Sequence, residues 1–516
     1  MPSTPPRLRR VLSSWRLAAV TLLSFSSGLP LGLVWYAIPD WMRDIGVDLR
    51  VVGLFTLAQA PWAFKVIWSP LVDRYVPPFW GRRRGWMAIT QIGLAGLGLL
   101  LAGVGDRPDA IWVVGALALA IALVSATQDI AIDAYAVDVL HRNEQGVAGG
   151  ARTAMYRAAM LVAGGLAITA AAQLGWPAVN ILLALAYIPM LVITWKAPEP
   201  EVVPAAPKNL REAVWQPFME LLSRHRAFEI LAFVLLYKLA DQVAQALTRP
   251  FLIDMGYTAY HRGLALGTIS IVATIGGSFV GGWVTTLTGL GHSLWIFGFL
   301  QVFSNIGYFL LARIGEPNLL AMYAATGFEL FTSGLGTGAF AVLLMRLTER
   351  RFSATQYALF SSLFALPRVL GGPIAGFAAQ ALGWPTFFLS TIVLGIPGLA
   401  MLARFVPIGE RDPQFTVDDD RPAPTPLAAS TLAARGVVGG LVLGLSSLVV
   451  VALLAALDTM RRTPATGFDF GAALRQAVTP AGIGDWVQLA GILAVAVVGG
   501  MFVAAATAVK RGGFRS

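Results

Sequence analysis

Residues 121–140 read IALVSATQDIAIDAYAVDVL. The stretch has the length and apolarity of a bilayer-crossing helix, which needs roughly 20 such residues. It nevertheless carries Gln128, Asp129, Asp133 and Asp138 before it stops at the polar turn His141-Arg142-Asn143-Glu144. Carboxylates at bilayer depth are costly, so they face a bundle interior and mark an ion or substrate path. The other charges in apolar segments are Lys65, Arg157, Lys238, Asp241, Glu329 and Arg368. They read as the remainder of one polar site, with this helix as its most acidic wall.

Composition agrees with a chain built of such helices. Of 516 residues, 56% are hydrophobic and 13% charged, with a mean hydropathy of +0.69. A soluble domain carries roughly 25% charged residues. The alternating segments of about 10 residues that mark a transmembrane β-barrel are absent, so the fold class is an all-α membrane protein. With no cysteine, there is neither a disulfide framework nor a thiolate metal site. The four histidines fall at segment ends, and no HExxH, G-x-S-x-G or P-loop pattern occurs. The chain is therefore read as no enzyme, with no cofactor, no metal and no nucleic-acid partner; its partners are the lipid bilayer and a small solute, and it is expected to act as a monomer.

Taken in order, Arg7, Arg9, Arg10 and Arg16 precede the apolar run 17–38, which is too long for a signal peptide and lacks a small-x-small cleavage site. Gly28-Leu29-Pro30 is expected to break the helix regularity of this first span near mid-membrane, tolerable only against protein or a cavity. Further spans are expected at 51–72, 86–103, 110–140, 147–174 and 177–195. A polar stretch follows, whose middle, 210–222, suits a surface helix. Six more spans are expected at 228–255, 259–287, 293–312, 319–347, 355–382 and 385–405. Residues 406–430 hold five prolines and the run Asp418-Asp419-Asp420 and read as an extended linker. Spans at 437–457 and 483–509 then form an appended hairpin. The expected organisation is 1–196 and 227–405 as two six-helix halves, 197–226 as the connecting linker, 406–430 as a second linker and 431–516 as an accessory hairpin, giving about fourteen spans.

Lysine and arginine bias puts both termini in the cytoplasm. Arg74, Arg82–Arg84, Arg142, Lys208, Arg211, Arg224, Arg226, Arg350 and Arg351 fall on that side, whereas the outer turns hold Arg43, Arg50, Arg107, Arg262 and Arg313; the last outer loop, with Arg461, Arg462 and Arg475, fits least well. A repeat supports the halves: AAQLGWP at 171–177 is echoed by AQALGWP at 379–385, each after a helix with an arginine and a glycine pair, Arg157 with Gly164-Gly165 and Arg368 with Gly371-Gly372. Transporters built from repeats hold substrate near midplane between them.

The motif WSPLVDRYVPPFWGRRRGW at 68–86 resembles the basic signature between the second and third helices of the major facilitator superfamily, with Ser69 in place of its first glycine and 76–80 inserted before Gly81. This variant is similar to the AmpG-type muropeptide permeases of that superfamily. So are SATQDIAIDAYAVDVL at 125–140, LLYKLADQ at 235–242, GLGTGAFAVLLM at 334–345 and FSATQYAL at 352–359. The likeness covers roughly residues 20–405. It implies a 6+6 helix bundle in the bacterial inner membrane that imports GlcNAc-1,6-anhydro-MurNAc peptides with protons. Its role would be peptidoglycan recycling, with an effect on β-lactamase induction and hence antibiotic resistance, and the last two helices would be accessory. One departure is Leu330, where the family commonly has asparagine after Phe-Glu. Alternatives are export or import of acetyl-CoA or another anionic metabolite on the same fold, and a membrane receptor or assembly factor that transports nothing.

Within that frame Asp129, Glu329 and Asp241 are the candidates for proton coupling. Gln128, Lys65, Arg157, Lys238 and Arg368 are the candidates for an anionic substrate, with Trp35, Tyr36 and Tyr156 to stack on sugar rings. Lys238 and Asp241, three residues apart, can face each other. Asp73, Arg74, Arg82, Arg83 and Asp138 form a candidate cytoplasmic gate, and Asp133 reads equally as gate or cavity. Gly276-Gly277, Gly281-Gly282 and Gly371-Gly372 permit close, sliding helix contact.

Overall fold

The structure is a computed structural model that describes residues 14–44, 56–104, 111–201, 205–222, 227–413, 427–462 and 467–511. Among the described residues, twelve helices are long and apolar enough to cross a bilayer. The first half contains α1 (Trp15–Met42), α3 (Arg82–Val104), α4 (Ile111–Val139), α5 (Gln145–Leu174) and α6 (Trp176–Lys196). The second contains α7 (Ala227–Asp254), α8 (Tyr260–Thr288), α9 (Leu290–Ile314), α10 (Leu319–Leu347) and α12 (Trp384–Phe405). The 30-residue α11 (Ser353–Leu382) completes it. The appended hairpin is α13 (Ala429–Arg462) and α14 (Ile483–Arg511). A linker helix, Leu210–Leu222, joins the halves.

The second span is not the continuous helix expected from its hydropathy. This element, α2 (56–74), runs as a 3-10 turn Thr56–Gln59, a helical turn Ala60–Phe64, a second 3-10 turn Lys65–Ile67 and a short helix Ser69–Arg74. Pro61 and Pro70 each withhold a backbone donor, and Lys65 at the break turns its ammonium inward. Residues 51–55 of that expected span lie outside the described residues. The irregularity expected at Gly28-Leu29-Pro30 comes just after it: α1 passes through Pro30 as α-helix and widens into a π-helical turn at Leu33–Ala37. Gly28 serves a different purpose, since a Cβ there would stand 2.2 Å from the Tyr156 carbonyl of α5.

The two echoed segments have one geometry. Gly175 sits at φ 78°, ψ 154° and Gly383 at φ 74°, ψ 160°, and Trp176 and Trp384 each then open a helix with proline in its first turn. That backbone region suits glycine alone, which explains the shared Gly-Trp-Pro. The start of the second expected linker is docked rather than extended: Trp295 Nε1 donates to the Val406 carbonyl at 2.8 Å, and Arg346 pairs with Asp412 at 2.8 Å. Residues 414–426, including the aspartate run, lie outside the described residues.

α5 and α8 define how the halves meet. At one end they touch backbone to backbone: a Cβ on Gly150 would lie 2.2 Å from the Ser278 carbonyl, and one on Gly282 would lie 2.7 Å from Gly150 Cα. Toward the other end a Cβ on Gly267 would meet nothing within 4 Å. There residues of α5 and α8 line a cavity between the halves of about 330 Å³. Not all the glycine pairs face the partner half, however. Gly277 and Gly281 pack on the Phe331 and Leu335 carbonyls of α10 in their own half.

Candidate functional site

At the end where α5 and α8 touch, a polar seam closes the halves. Arg83, at the start of α3, donates from Nη2 to Asp73 Oδ1 at 2.7 Å and from Nε to Asp138 Oδ2 at 2.9 Å. Arg82 stands 3.9 Å from the same Asp138 oxygen. The seam then crosses to the other half. Asp73 Oδ2 accepts from the Thr355 backbone N–H at 2.8 Å and from Thr355 Oγ1 at 2.7 Å. Its Oδ1 accepts from the Ala354 N–H at 3.3 Å, and Arg83 Nη2 donates to Ser353 Oγ at 2.7 Å.

The first turn of a helix has backbone donors without intrahelical partners and carries partial positive charge. α11 has no side-chain cap of its own at Phe352, and Asp73 supplies one from the opposite half. Arg74 stands outside this cluster, with its guanidinium 5.7 Å from the Tyr75 ring centroid. The linker helix braces the seam through Gln356 Nε2, which donates to the Pro217 carbonyl at 3.1 Å, and through the pair Arg351–Glu212.

Deeper between the halves is a cavity of about 250 Å³, lined among others by Ser27, Lys65, Asp129, Asp133, Arg152, Tyr156, Arg157, Thr337 and Tyr357. Its floor is an ion cluster of two cations and two carboxylates. Lys65 Nζ lies 3.3 Å from Asp133 Oδ2 and 3.8 Å from Asp129 Oδ2. Arg152 pairs with the other Asp133 oxygen and donates from Nε to Ser24 Oγ at 3.2 Å, and Ser27 donates to Asp129. Asp129 and Asp133 converge because positions i and i+4 share a helix face, and Lys65 reaches them because α2 is broken beside them.

Arg152 escaped the sequence reading. Tyr357 of α11 lines the same cavity, so the cluster faces both halves. The signal for Arg152 was there to be used: it lies on the same helix as Arg157, but so near the polar turn before α5 that it passes for a loop-end charge. Asp133, which read equally as gate or cavity, lies in the cavity.

Arg157 lines both this cavity and the one of about 330 Å³ beyond it, where Tyr36 and Ser270 face the same space. Among the described residues no hydrogen bond or ion pair engages its guanidinium. Tyr156 lines the inner cavity and the half-exposed Tyr36 the outer one. Trp35 is packed edge to face on Trp62, with ring centroids 6.3 Å apart, and lines neither cavity.

Gln128 belongs elsewhere than expected. Adjacent helical residues do not face the same way, so with Asp129 in the cavity Gln128 turns into the first half. There it is fully buried and donates to Ser26, next to Gln91, whose Oε1 accepts from Thr194 at 2.8 Å.

The second half's charges form a separate cluster rather than part of one site. Lys238, at an interruption in α7, donates to Asp241 Oδ2 at 3.0 Å and to the Ser333 carbonyl at 3.1 Å. Glu329 accepts from Gln245 Nε2 at 2.8 Å, and no described cation pairs with it. All three charged residues are at most 3% exposed. The link to the cavity is one helical turn of α10: cavity-lining Thr337 donates to the same Ser333 carbonyl at 2.7 Å. Arg368 falls outside the residues whose side chains are described. No group of metal-ligating side chains occurs among the described residues.

A family model described as Major Facilitator Superfamily matches residues 20–372. A protein of Escherichia coli (strain K12) named anhydromuropeptide permease is 43% identical over 399 residues, which is 76% of this chain and 80% of that one. A protein of Rickettsia conorii named putative transporter AmpG 4 is 29% identical over 407 residues, 77% of this chain and 98% of its own. Among solved structures, the proton:xylose symporter XylE superposes with a TM-score of 0.59 at 10% identity, covering 78% of this chain and 98% of that one. The human organic anion transporter TETRAN superposes at 0.54 and 16% identity, covering 77% and 100%. At such identities the two structures speak for the fold alone.

Proposed function

The chain belongs to the major facilitator superfamily, a multi-pass membrane transporter of the AmpG-type permease kind, and on that premise we propose that it imports anhydromuropeptides together with protons across the bacterial inner membrane. Both termini then lie in the cytoplasm and the seam around Asp73 is the cytoplasmic gate, closed in this structure, with the outer cavity facing the periplasm. Peptide-bearing amino sugars of this kind carry carboxylates.

The observation that carries the reading is Arg157, a guanidinium with no described partner, shared by two successive cavities on the path between the halves. Their volumes, about 250 and 330 Å³, together fall within the range of small-molecule sites, roughly 300–1,000 Å³. Guanidinium suits carboxylate recognition because its donors match both oxygens at once. The name of the 43% identical E. coli relative supports the muropeptide class.

For the protons, three arrangements serve. Asp129 shares Lys65 with Asp133, so protonating one carboxylate leaves the other to hold the ammonium. Glu329 meets an amide instead of a cation and can exchange a proton without breaking an ion pair. Asp241 is tied to Lys238, and protonation there would free the ammonium to turn toward the substrate path. The import serves peptidoglycan recycling.

The test is uptake of radiolabelled GlcNAc-1,6-anhydro-MurNAc-tripeptide into proteoliposomes with an inside-alkaline gradient. Accumulation above equilibrium that an uncoupler abolishes supports the proposal. Equilibration without accumulation removes the proton, and no entry at all removes the substrate. Accumulation that survives in Asp129→Asn takes that residue out of coupling, and likewise for Glu329→Gln.

A further inference from the structure

The largest of the cavities described lies far from this path. About 530 Å³ opens between the appended hairpin and the start of α7, lined by Phe228, Arg435, Leu443, Phe502, Val503 and Thr507. It stands at the gate end of the bundle. Phe502 and Ala505 of α14 pack on Phe218 and Met219 of the linker helix, the same helix whose Pro217 carbonyl is held by Gln356 beside the seam. The hairpin meets the rest of the bundle chiefly there, and α13 packs on α14 and on the short helix Phe470–Val478. Ala227 and Leu231 of α7 join the same cluster as the hairpin, and beside them a gap is left between the hairpin and α7.

The walls of the gap are apolar apart from Arg435 and Thr507. Arg435, near the start of α13, lines it with no hydrogen bond or ion pair to a described residue. The acid next to cavity-lining Phe228, Glu229, is engaged by Arg404 at 3.5 Å. Thr507 spends its hydroxyl on the Val503 carbonyl at 2.8 Å. The space therefore presents one uncompensated cation at its rim and hydrocarbon below, the arrangement by which basic pockets between transmembrane helices hold anionic lipid head groups.

We propose that this cavity holds one anionic phospholipid of the leaflet on the gate side, its phosphate on Arg435 and its acyl chains along Leu443, Phe502 and Val503. The lipid completes the joint between hairpin and bundle.

The test is native mass spectrometry of the full chain, purified from membranes in mild detergent. It is paired with thermal unfolding in nanodiscs of phosphatidylcholine with and without phosphatidylglycerol. The wild type is expected to retain one phosphatidylglycerol and to melt higher when that lipid is present. Arg435→Gln should lower retention about five- to tenfold, the weight of one basic residue at a membrane surface, and should lose the melting response. Arg435→Lys keeps both. Ala506 also lines the cavity, and Ala506→Trp, which fills it and leaves the cation in place, loses the lipid as well. The proposal is overturned if the wild type carries no phospholipid, if it holds phosphatidylethanolamine as readily, if Arg435→Gln or Ala506→Trp retains the lipid, or if inorganic phosphate raises the melting temperature as much as phosphatidylglycerol does.

Discussion

Replacing Asp73 with alanine should open the closed end of the bundle. The carboxylate accepts three hydrogen bonds from the opposite half, from Ala354 N, Thr355 N and Thr355 Oγ1, and one from Arg83. It is fully buried, and Arg83 is 3% exposed. Removing one member of a buried ion pair costs about 3–5 kcal/mol, because the partner charge is left uncompensated. Here part of that cost is avoided if the gate opens and water reaches Arg83 and the bare first turn of α11. The penalty therefore falls on the closed state, and the closed-to-open ratio should drop by a factor on the order of 10²–10³, at about 1.4 kcal/mol per tenfold.

The chain has no cysteine, so Val76→Cys and Arg350→Cys, exposed on either side of the seam, take spin labels without background. Electron–electron distance measurements should show a single short distance in the parent and a dominant longer one in Asp73→Ala. Thr355→Val, which removes one cross-half bond and no charge, should move the ratio by about tenfold or less. An unchanged distance distribution in Asp73→Ala would refute the argument that this carboxylate holds the seam.

Other substitutions separate the cavity from its surroundings. Arg157→Gln should weaken binding of an anionic anhydromuropeptide by roughly 10- to 100-fold, the range for a lost charge-assisted bond, with little change in melting temperature; equal affinity in a radioligand assay would contradict the role given to its unpaired guanidinium. Gln128→Leu should leave that affinity within about twofold while lowering the melting temperature, since Gln128 faces Ser26 rather than the cavity. Lys65→Met should destabilise the fold by about 3–5 kcal/mol, and adding Asp133→Asn should recover part of it, a coupling that a double-mutant cycle in thermal unfolding reads directly. Gly150→Val puts a side chain where the Ser278 carbonyl now stands, so the same spin-label pair should report an open seam.

Helix positions were legible because hydropathy alone sets them: twelve of the expected spans lie within a few residues of helices in the fold, and a thirteenth, 437–457, lies inside the longer α13. The exception, α2, misled because apolar content does not register that Pro61, Pro70 and an inward lysine share one segment. Residues of the cavity were legible where a charge falls well inside an apolar helix, as Asp129 and Arg157 do. They were not legible where the decisive fact is direction. Gln128 and Asp129 are neighbours in sequence yet point apart, and the charges of α4 and of α7 and α10 look alike in sequence yet form two clusters. Arg152 was hidden by the polar turn beside it, and Asp73 as a cap for α11 joins segments 281 residues apart.

The backbone-to-backbone contact of α5 with α8 has a thermodynamic consequence. Where Gly150 meets Ser278 and Gly282 there is almost no side chain to uncover, so parting the helices there exposes peptide groups and very little hydrocarbon. Heat capacity rises with apolar exposure and falls with polar exposure. This contact should therefore add little apolar exposure, and little positive heat capacity, to the difference between the two arrangements of the bundle.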